Sequence, residues 1–259
     1  MKRSYHRYVI APSRGYRYFG TQIYYPRGSA TIDVACHEGI YEAENIAFLQ
    51  ALVNPSSYYI DVGANLGFTS VPLLARHHDL RVLSIEPSPV TVQFLRKTAS
   101  ESPWSDRWIV VAEAVGETVG ETAFHYGDPK SALYDGLRTT TNSPDRQVAR
   151  VPLTTIDTIW NRLGRPFVSA VKLDIEGGEL HALRGAASCI AENRPYVLTE
   201  WWPDYLAAYN VKNDEILDLA ADWHYSIIGL PRLQPVTESA GLKLQQLVGS
   251  YLLLVPVRR

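Results

Sequence analysis

The stretch Y-Y-I-D-V-G-A-N-L-G-F-T-S, residues 58–70, decides the fold of this chain. An apolar, β-prone run leads to Asp61, a turn containing Gly63, Asn65 and Gly67 follows, and apolar residues at helical spacing come next. A strand, a glycine turn and a helix in this order present backbone N–H groups at a helix N-terminus to a nucleotide-like ligand. Gly63 lets the chain turn sharply, and Gly67 keeps a Cβ atom out of a close approach. The carboxyl end of such a strand is where open α/β sheets bind ligands.

The chemistry of this turn favours one class of cofactor. The pattern D-x-G-x-N-x-G differs from the dinucleotide-binding pattern G-x-G-x-x-G, because Asn65 replaces the glycine that lets a pyrophosphate approach. A carboxylate directly before the turn suits the ammonium group and the ribose of S-adenosylmethionine better than a diphosphate. We therefore predict that Asp61, Gly63, Asn65 and Gly67 bind this cofactor. The structural alternative is a turn that uses glycine only for its geometry.

Two further strand ends supply candidate cofactor-binding residues. The run R-V-L-S-I-E-P predicts a buried strand that ends at Glu86, about 25 positions after Asp61. In Rossmann-type units an acidic residue at a similar offset binds the ribose hydroxyls. Residues 108–111 predict the next strand, and Glu113 and Ala114 just beyond it are candidates to flank an adenine ring. The alternative for Glu86 is an acidic residue that interacts with the dipole of the following helix.

The segment V-S-A-V-K-L-D-I-E-G-G-E, residues 168–179, is a second chemical centre. Lys172 and Asp174 fall on the same side of an alternating strand, and Glu176 follows at its carboxyl end. This strand should lie beside the strand of the glycine turn. A close group of acid, lysine and acid can position a hydroxyl, act as a general base or hold a cation, so we predict that these three residues are catalytic. The alternative is a structural ion pair, and no metal site is predicted, although Mg²⁺ between Asp174, Glu176 and Glu200 is a further alternative.

The rest of the chain predicts one α/β domain with a small N-terminal extension. Short strands and turns are predicted over residues 1–35, and a helix over 39–53 carries Glu42 and Glu44 on a solvated face. We therefore divide the chain into a β-rich extension, residues 1–38, and a main domain, residues 39–259. Apolar spacing predicts further helices at 90–102, 155–163, 179–190 and 213–223, and strands at 121–126, 147–153, 196–200, 225–230 and 250–257.

Bulk composition argues against several kinds of partner. The net charge of −2 gives no electrostatic basis for binding nucleic acid or an anionic membrane. No apolar run reaches 18 residues, and the basic N-terminus lacks the long apolar segment of a secretory signal. Cys36 and Cys189 lie far apart without metal-type spacing, which suits a reducing compartment. We therefore expect a cytoplasmic protein.

Several of these motifs occur together in one known family. The motifs are D-V-G-A-N-L-G-F-T-S (61–70), I-E-P (85–87), V-P-L-T-T-I-D (151–157), K-L-D-I-E-G-G-E (172–179), L-R-G-A (183–186) and Glu200. In this combination the chain resembles the FkbM family of S-adenosylmethionine-dependent methyltransferases. The D-V-G-A-N turn occurs widely among methyltransferases, whereas the K-x-D-x-E-G-x-E block just over a hundred residues later is much more specific. Gly178 departs from the family, whose members often carry alanine there.

The resemblance implies a fold and a reaction. The fold would be the Rossmann-like class I methyltransferase fold, an α/β fold whose mostly parallel, seven-stranded sheet has helices on both faces and an antiparallel strand at one edge. The reaction would be O-methylation of a hydroxyl on a sugar, a glycan or a natural product, with S-adenosylmethionine as the cofactor. Asp174 or Glu176 would remove the hydroxyl proton, and Lys172 would orient that base or lower its pKa. His125 and His181 are alternative bases.

Segments that the sheet does not need are candidates for the acceptor site. A polar loop over residues 127–145, which includes Ser131 and Tyr134, interrupts the alternation of strands and helices. We expect this loop, the Tyr-rich N-terminal arm and Trp201 and Trp202 to form the wall or the lid of that site, because loops at strand ends carry specificity. The alternative for the two tryptophans is packing under the neighbouring helix, which we expect for one of them. Aromatic faces suit sugar rings, and polar loop residues suit hydroxyl groups.

Two other classes of protein remain as alternatives. A nicotinamide-dependent oxidoreductase would use the same sheet, but it would require G-x-G-x-x-G at the first turn, where this chain has Asn65. A non-catalytic nucleotide-binding α/β module would have no need of the cluster formed by Lys172, Asp174 and Glu176. The sequence favours the methyltransferase over both.

Overall fold

The computed structural model describes residues 15–127, 135–138 and 146–257. Within these residues the strands are β1 (Tyr16–Tyr18), β2 (Thr21–Ile23), β3 (Tyr58–Val62), β4 (Arg81–Ile85), β5 (Trp108–Val111), β6 (Ala114–Val115), β7 (Gly120–Tyr126), β8 (Gln147–Thr154), β9 (Val168–Leu173), β10 (Tyr196–Glu200), β11 (Tyr225–Gly229), β12 (Gln234–Pro235) and β13 (Tyr251–Pro256). The helices are α1 (Ala30–Glu38), α2 (Ala43–Leu52), α3 (Ser70–Arg76), α4 (Thr91–Glu101), α5 (Ile156–Arg162), α6 (Glu179–Arg184), α7 (Ala187–Asn193), α8 (Pro203–Ala208), α9 (Glu215–Trp223) and α10 (Ser239–Gln246).

A large mixed sheet of eight strands forms the centre of the fold, in the order β12-β11-β13-β10-β9-β3-β4-β5. The neighbours from β10 through β9, β3 and β4 to β5 are parallel, whereas β13 is antiparallel to both β10 and β11. The prediction of a mostly parallel sheet of seven strands is therefore corrected in two respects: there are eight strands, and the antiparallel strand β13 lies inside the sheet. β13 begins at the end of the sheet where β11 finishes, so no helical crossover is needed between them.

Helices cover both faces of the large sheet, as predicted. Successive side chains of a strand point to opposite faces, so Ile60 and Val62 of β3 join one apolar core while Tyr59 joins the other. The first core contains buried residues of α5, α6, α7 and α9, and the second contains buried residues of α1, α2, α3 and α4. The central strands are therefore buried on both sides, which fixes their register.

The register of the central strands brings the two predicted chemical centres together. Asp61 of β3 pairs with Lys172 of β9 on one side and with Ser84 of β4 on the other. The strand of the glycine turn and the strand of the lysine cluster are therefore direct neighbours, as the sequence predicts. Because the three strands are parallel, their carboxyl ends open at the same edge of the sheet.

Two local predictions are wrong. Residues 30–35 were expected to be strand or turn, but they belong to α1, whose Ile32 and Ala35 pack into the second core at helical spacing. Tertiary packing here outweighs the β propensity of its branched residues. The helix predicted over 179–190 is two helices, α6 and α7, with a break at Gly185, where the chain passes against the backbone of Gly116.

Smaller elements surround the large sheet. β6, β8 and β7 form a three-stranded sheet, and β7 and β8 flank the polar loop as predicted. β1 and β2 form a hairpin whose Tyr18 and Ile23 pack into the second core. The division of the chain after residue 38 stays a prediction. Among the helices of the described residues, none combines the length and the apolar composition needed to cross a lipid bilayer.

Gly185 tests the close packing at the break between α6 and α7. A Cβ atom added there would lie 2.1 Å from the carbonyl oxygen of Gly116, whereas a Cβ atom added at Gly241 of α10 would meet nothing within 4 Å. We expect Gly185→Ala to lower the free energy of unfolding by roughly 1–3 kcal/mol, the usual cost of overpacking. Gly241→Ala is the matched control and should leave stability unchanged or raise it by up to about 1 kcal/mol. Urea unfolding measures both, and equal stabilities would contradict the described contact.

Candidate active site

One cleft lies at the carboxyl ends of β3, β4 and β9. The empty space in and above it, open solvent at the mouth included, is about 940 Å³. Asp61 and Gly67 are not among the residues that line it. The cleft does bring together the other eight predicted site residues: Gly63, Asn65, Glu86, Glu113, Ala114, Lys172, Asp174 and Glu176.

Asp61 is fully buried below the glycine turn. Its Oδ2 accepts hydrogen bonds from Thr69 Oγ1 (2.7 Å) and from Ser70 Oγ (2.6 Å). Because Ser70 uses its proton for Asp61, the Ser84 hydroxyl must donate to Ser70 Oγ (2.8 Å), and Ser84 in turn accepts from Trp108 Nε1 (2.8 Å). Asp61 thus ends a directed chain of hydrogen bonds that connects β5, β4, α3 and β3. Direct contact between Asp61 and the cofactor stays a prediction.

Glycine is needed at two positions of the turn for different structural reasons. Gly63 has a φ of +78°, and a Cβ atom there would lie 1.9 Å from the carbonyl oxygen of Asp174. Gly67 has a φ of +89°, and its Cβ atom would lie 2.8 Å from the ring of Trp108. Gly63 therefore permits contact between the two turns of the cleft, and Gly67 permits packing against an aromatic side chain. Both backbones are in a region that side chains rarely adopt.

Glu86 is positioned by the turn itself. Its Oε2 accepts a hydrogen bond from the backbone N–H of Asn65 (2.9 Å), and its Oε1 accepts one from that of Ser88 (2.7 Å). Asn65 has a φ of +48°, a conformation that asparagine tolerates better than most residues. Burial raises the pKa of Glu86 to about 7, although the two N–H groups oppose this rise. Each carboxyl oxygen keeps a second lone pair, so Glu86 can still accept from a pair of hydroxyl groups.

Glu113 and Ala114 differ in what they can offer a ligand. Glu113 accepts two hydrogen bonds of 2.8 Å from the guanidinium of Arg162, and these bonds lower the pKa of Glu113. Arg162 also donates to Thr154 Oγ1 at 2.9 Å, which fixes the arrangement at the rim of the cleft. Ala114 is buried and contributes an apolar surface. Their contact with an adenine ring stays a prediction.

Lys172 and Asp174 form a buried ion pair in the cleft. Lys172 Nζ donates to Asp174 Oδ2 at 2.7 Å, and its side chain is only 3% exposed. Burial acts to lower the pKa of Lys172, but the charge of Asp174, the largest opposing influence, raises it well above its ordinary value. Burial likewise acts to raise the pKa of Asp174, but the Lys172 ammonium holds it below its ordinary value. Both side chains are therefore charged at neutral pH.

The other carboxyl groups nearby are neutral instead. Burial, followed by the charges of Asp174 and Glu179, raises the pKa of Glu176 to about 9. Burial, followed by the charges of Asp174 and Glu176, raises the pKa of Glu200 to about 10. Oxygen atoms of Asp174, Glu176 and Glu200 lie within 4.8 Å of one another. The strand-end acidic residues therefore do converge, with one ionised and two protonated at neutral pH.

Sequence reasoning missed three polar residues of this region. Tyr251 donates to Asp174 Oδ2 at 2.8 Å. It was missed because it begins an apolar strand and no motif marks it. Glu42, expected on a solvated helix face, lies 3.7 Å from Lys172 Nζ instead, because it precedes α2 with a left-handed backbone, φ +47°. Asp135 lines the cleft and accepts a hydrogen bond from Ser88 Oγ at 3.3 Å.

The remaining candidates lie in several places. His125 and His181 are not among the residues that line the cleft. Trp201 is fully buried in the first core and donates to the backbone carbonyl of Asn213 at 2.9 Å, so its prediction as part of the acceptor wall is wrong. Of the 127–145 loop, residues 135–137 line the cleft. Ser131, Tyr134 and the first 14 residues lie outside the described residues.

The family model for the methyltransferase FkbM domain matches residues 61–227. The chain belongs to the FkbM methyltransferase family. This membership agrees with the S-adenosylmethionine cofactor that the sequence predicts. The match begins at Asp61 and covers both turns of the cleft, which confirms the resemblance seen in the sequence. Membership of a methyltransferase family also argues against the oxidoreductase alternative.

A solved structure of the same family shares the fold of this chain. A methyltransferase FkbM from Methylobacillus flagellatus KT is 21% identical, with a TM-score of 0.52 over 82% of this chain. The FkbM chain studied here spans only about half of that protein, 47% of its length. Magnesium protoporphyrin IX methyltransferase from Synechocystis PCC 6803, solved with bound S-adenosylmethionine, is 15% identical, with a TM-score of 0.45 over 88% of this chain and 82% of its own. No curated protein matches the chain in sequence.

The neutral carboxyl groups predict how stability depends on pH. The folded protein keeps the Glu200 proton up to a pKa of about 10, whereas the unfolded chain releases it near pH 4.5. Because the folded state binds more protons in between, the free energy of unfolding should fall as the pH rises from 5 to 9. Glu200→Gln should fall less steeply, and Glu44→Gln on an exposed site should follow the wild type. Urea unfolding at pH 5, 7 and 9 measures the slopes, and equal slopes for Glu200→Gln and wild type would refute the buried proton.

Proposed function

We propose that this protein is an O-methyltransferase that acts on a hydroxyl group of a sugar, a glycan or a natural product. The observation that carries the proposal is the charged Lys172–Asp174 pair, which lines the same cleft as Glu86. One side of the cleft thus offers acceptors for a ribose, and the other offers a base for a hydroxyl proton. Cytoplasmic location is an expectation that accompanies this proposal.

The residues around Glu86 fit S-adenosylmethionine. Glu86 offers lone pairs for the ribose hydroxyl groups, and Asn65 holds it in place through the backbone. Apolar side chains around it suit an adenine ring: Val62, Ile85, Ala114, Val115 and Phe124. When bound, the cofactor supplies an electrophilic methyl group on a sulfonium centre. The contacts of Asp61 and Gly67 would be indirect, through the shape of the turn.

Asp174 is the base in this proposal. It is ionised at neutral pH and can take up a proton, whereas Glu176 is already protonated and cannot act as a carboxylate base. A neutral alcohol has a high pKa, so its proton leaves as the new C–O bond forms, and a carboxylate held in place lowers that barrier. Lys172 orients Asp174 through the 2.7 Å hydrogen bond. Positioning of the hydroxyl group can lower the activation barrier further, by about 7–11 kcal/mol at most.

The lining of the cleft favours a ring-shaped, hydroxyl-bearing acceptor. Tyr41, Phe68 and Tyr209 line it and offer aromatic faces, on which the apolar faces of sugar rings pack. Glu176 and Asp135 add polar groups for hydroxyls. The segment 135–138 connects the two sides, because Asp135 contacts Ser88 and a Cβ atom at Gly136 would lie 3.5 Å from Glu176 Cβ.

Glu86→Ala tests the cofactor site. The substitution removes an acceptor of charge-assisted hydrogen bonds, so the Kd for S-adenosylmethionine should rise by roughly 10- to 100-fold, about 1–3 kcal/mol. Isothermal titration calorimetry with S-adenosylmethionine measures the change, and far-ultraviolet circular dichroism checks the fold. Glu44→Ala, at an exposed helix position, is the control and should bind like the wild type. An unchanged Kd in folded Glu86→Ala protein would remove Glu86 from the cofactor site.

Asp174→Asn and Glu176→Gln separate the base from its neighbour. Only Asp174 is ionised, so Asp174→Asn should lower turnover by about a hundredfold or more, the range for loss of a general base. Glu176→Gln keeps a hydrogen-bond donor and should lower turnover much less. Formation of S-adenosylhomocysteine from S-adenosylmethionine and the methyl glycosides of glucose, galactose, mannose and rhamnose measures turnover.

Three outcomes of that experiment have distinct meanings. Equal losses of S-adenosylmethionine affinity in both variants would make the cluster part of the cofactor site rather than the base. Turnover by Asp174→Asn at the wild-type rate would refute the assignment of the base. No methylation of any glycoside by the wild type would refute the sugar acceptor and direct the search to phenolic natural products.

A further inference from the structure

The hydroxyl group of Tyr251 bridges two carboxyl groups. It lies 2.8 Å from Asp174 Oδ2 and 2.9 Å from Glu42 Oε1. A phenol has one proton and can donate to only one of them. The other carboxyl group must therefore donate to the Tyr251 oxygen, and a carboxyl group donates only when it is protonated. Glu42, Tyr251 and Asp174 together therefore hold two protons, one more than a tyrosine and two ionised carboxylates would hold.

The position of Lys172 decides which carboxyl group carries that proton. Lys172 Nζ lies 2.7 Å from Asp174 but 3.7 Å from Glu42, so the positive charge stabilises the ionised form of Asp174 more. Burial is the largest influence on Glu42 and raises its pKa, whereas the pKa of Asp174 is lowered. The hydrogen bonds therefore run from protonated Glu42 to the Tyr251 oxygen, and from the Tyr251 hydroxyl to ionised Asp174.

Glu42 also reaches a different surface from Asp174. Its side chain is 17% exposed and lines a second cleft together with Asn45, Ser250 and Tyr251, whereas Asp174 lines the main cleft. Asn45 Nδ2 donates to Glu42 Oε2 at 3.3 Å and so leaves Oε1 to Tyr251. Glu42, Tyr251 and Asp174 thus form a continuous connection between two clefts.

The titratable groups around Glu42 come from several elements. Lys172 on β9 and Asp174 after it supply the charges, and Tyr251 lies on β13. Tyrosines of β1, of the segment before α2 and of β3 also face it, and all have raised pKa values that keep them neutral. Within the described residues this set is Lys172, Asp174, Tyr251, Tyr18, Tyr41 and Tyr59, and Glu38 and Glu44 also line the second cleft beside Glu42.

We propose that Glu42 and Tyr251 form a proton relay that carries the proton of the acceptor hydroxyl from Asp174 to the solvent of the second cleft. The proposal rests on Asp174 as the base. In one cycle Glu42 first releases its proton to water, and the Tyr251 hydroxyl turns towards Glu42. Asp174 takes the acceptor proton and passes it to the Tyr251 oxygen, while the original Tyr251 proton moves to Glu42. One proton enters from the acceptor and one leaves to water, and all three residues regain their starting state.

Two substitutions separate a relay from a merely structural contact. Glu42→Gln keeps the shape of the side chain and an N–H donor for Tyr251, but an amide cannot release and regain a proton at neutral pH. Tyr251→Phe keeps the ring but removes the oxygen that joins the two carboxyl groups. Glu44→Gln on the same helix, at an exposed position, is the matched control. A structural contact would tolerate Glu42→Gln, whereas a relay would not.

The first measurement needs no acceptor. Carbon-13 NMR of protein labelled at the glutamate side-chain carboxyl, titrated from pH 4 to pH 9, should show at pH 7 a protonated glutamate, besides Glu176 and Glu200, whose signal disappears in Glu42→Gln. If no protonated glutamate signal is lost at pH 7 in folded Glu42→Gln protein, the shared proton does not exist and the relay is refuted.

The second measurement follows turnover with the four methyl glycosides. We expect Glu42→Gln and Tyr251→Phe to lower kcat at least about tenfold and to raise its solvent deuterium isotope effect, with KM and the Kd for S-adenosylmethionine unchanged. Wild-type kcat in both variants would refute the relay and leave Asp174 as the base. Wild-type turnover by Asp174→Asn would instead refute the proposed function. If no glycoside is methylated, the sugar acceptor is refuted, and the carboxyl titration decides the relay.

Discussion

The contact between two turns is the constraint on which the site depends. The chain after β3 passes so close to the carbonyl of Asp174 that only Gly63, with no side chain, fits there. The Asp174 N–H in turn donates to the carbonyl of Val62 at 3.1 Å. These contacts fix the end of β9 against the end of β3, so the glycine turn and the Lys172–Asp174 pair share one rigid base. Few other arrangements would keep Glu86 and Lys172 in the same cleft.

The local chemistry of this site could be predicted from the sequence because it depends on strand order and strand ends. The acidic residues at 86, 174 and 176 follow apolar strands directly, and parallel neighbours end at the same edge of the sheet. The insertion of β13 into the sheet and the position of Glu42 could not be predicted in the same way. The position of β13 depends on its pairing with both β10 and β11. The position of Glu42 depends on its own left-handed backbone before α2 and on a contact with Tyr251, 209 positions later.

The protonation states of the carboxyl groups in the cleft could not be predicted from the sequence either. Asp174, Glu176 and Glu200 are all acidic residues near strand ends. The Lys172 ammonium at 2.7 Å nevertheless holds the pKa of Asp174 below its ordinary value, while burial raises the pKa of the other two. The same reasoning explains Gly67, whose motif suggests an approach by a ligand and whose neighbour is the Trp108 ring. A motif therefore identifies which residues matter, and packing decides what each of them does.

The strand β13 belongs to the large sheet and also carries a residue of the site. This strand is the last of the described chain, lies between β10 and β11, and brings Tyr251 to Asp174 from the far end of the sequence. Asp174 and Glu42 have the Tyr251 hydroxyl group between them only when β13 is paired with β10 and β11, so completing the sheet also completes this side of the cleft.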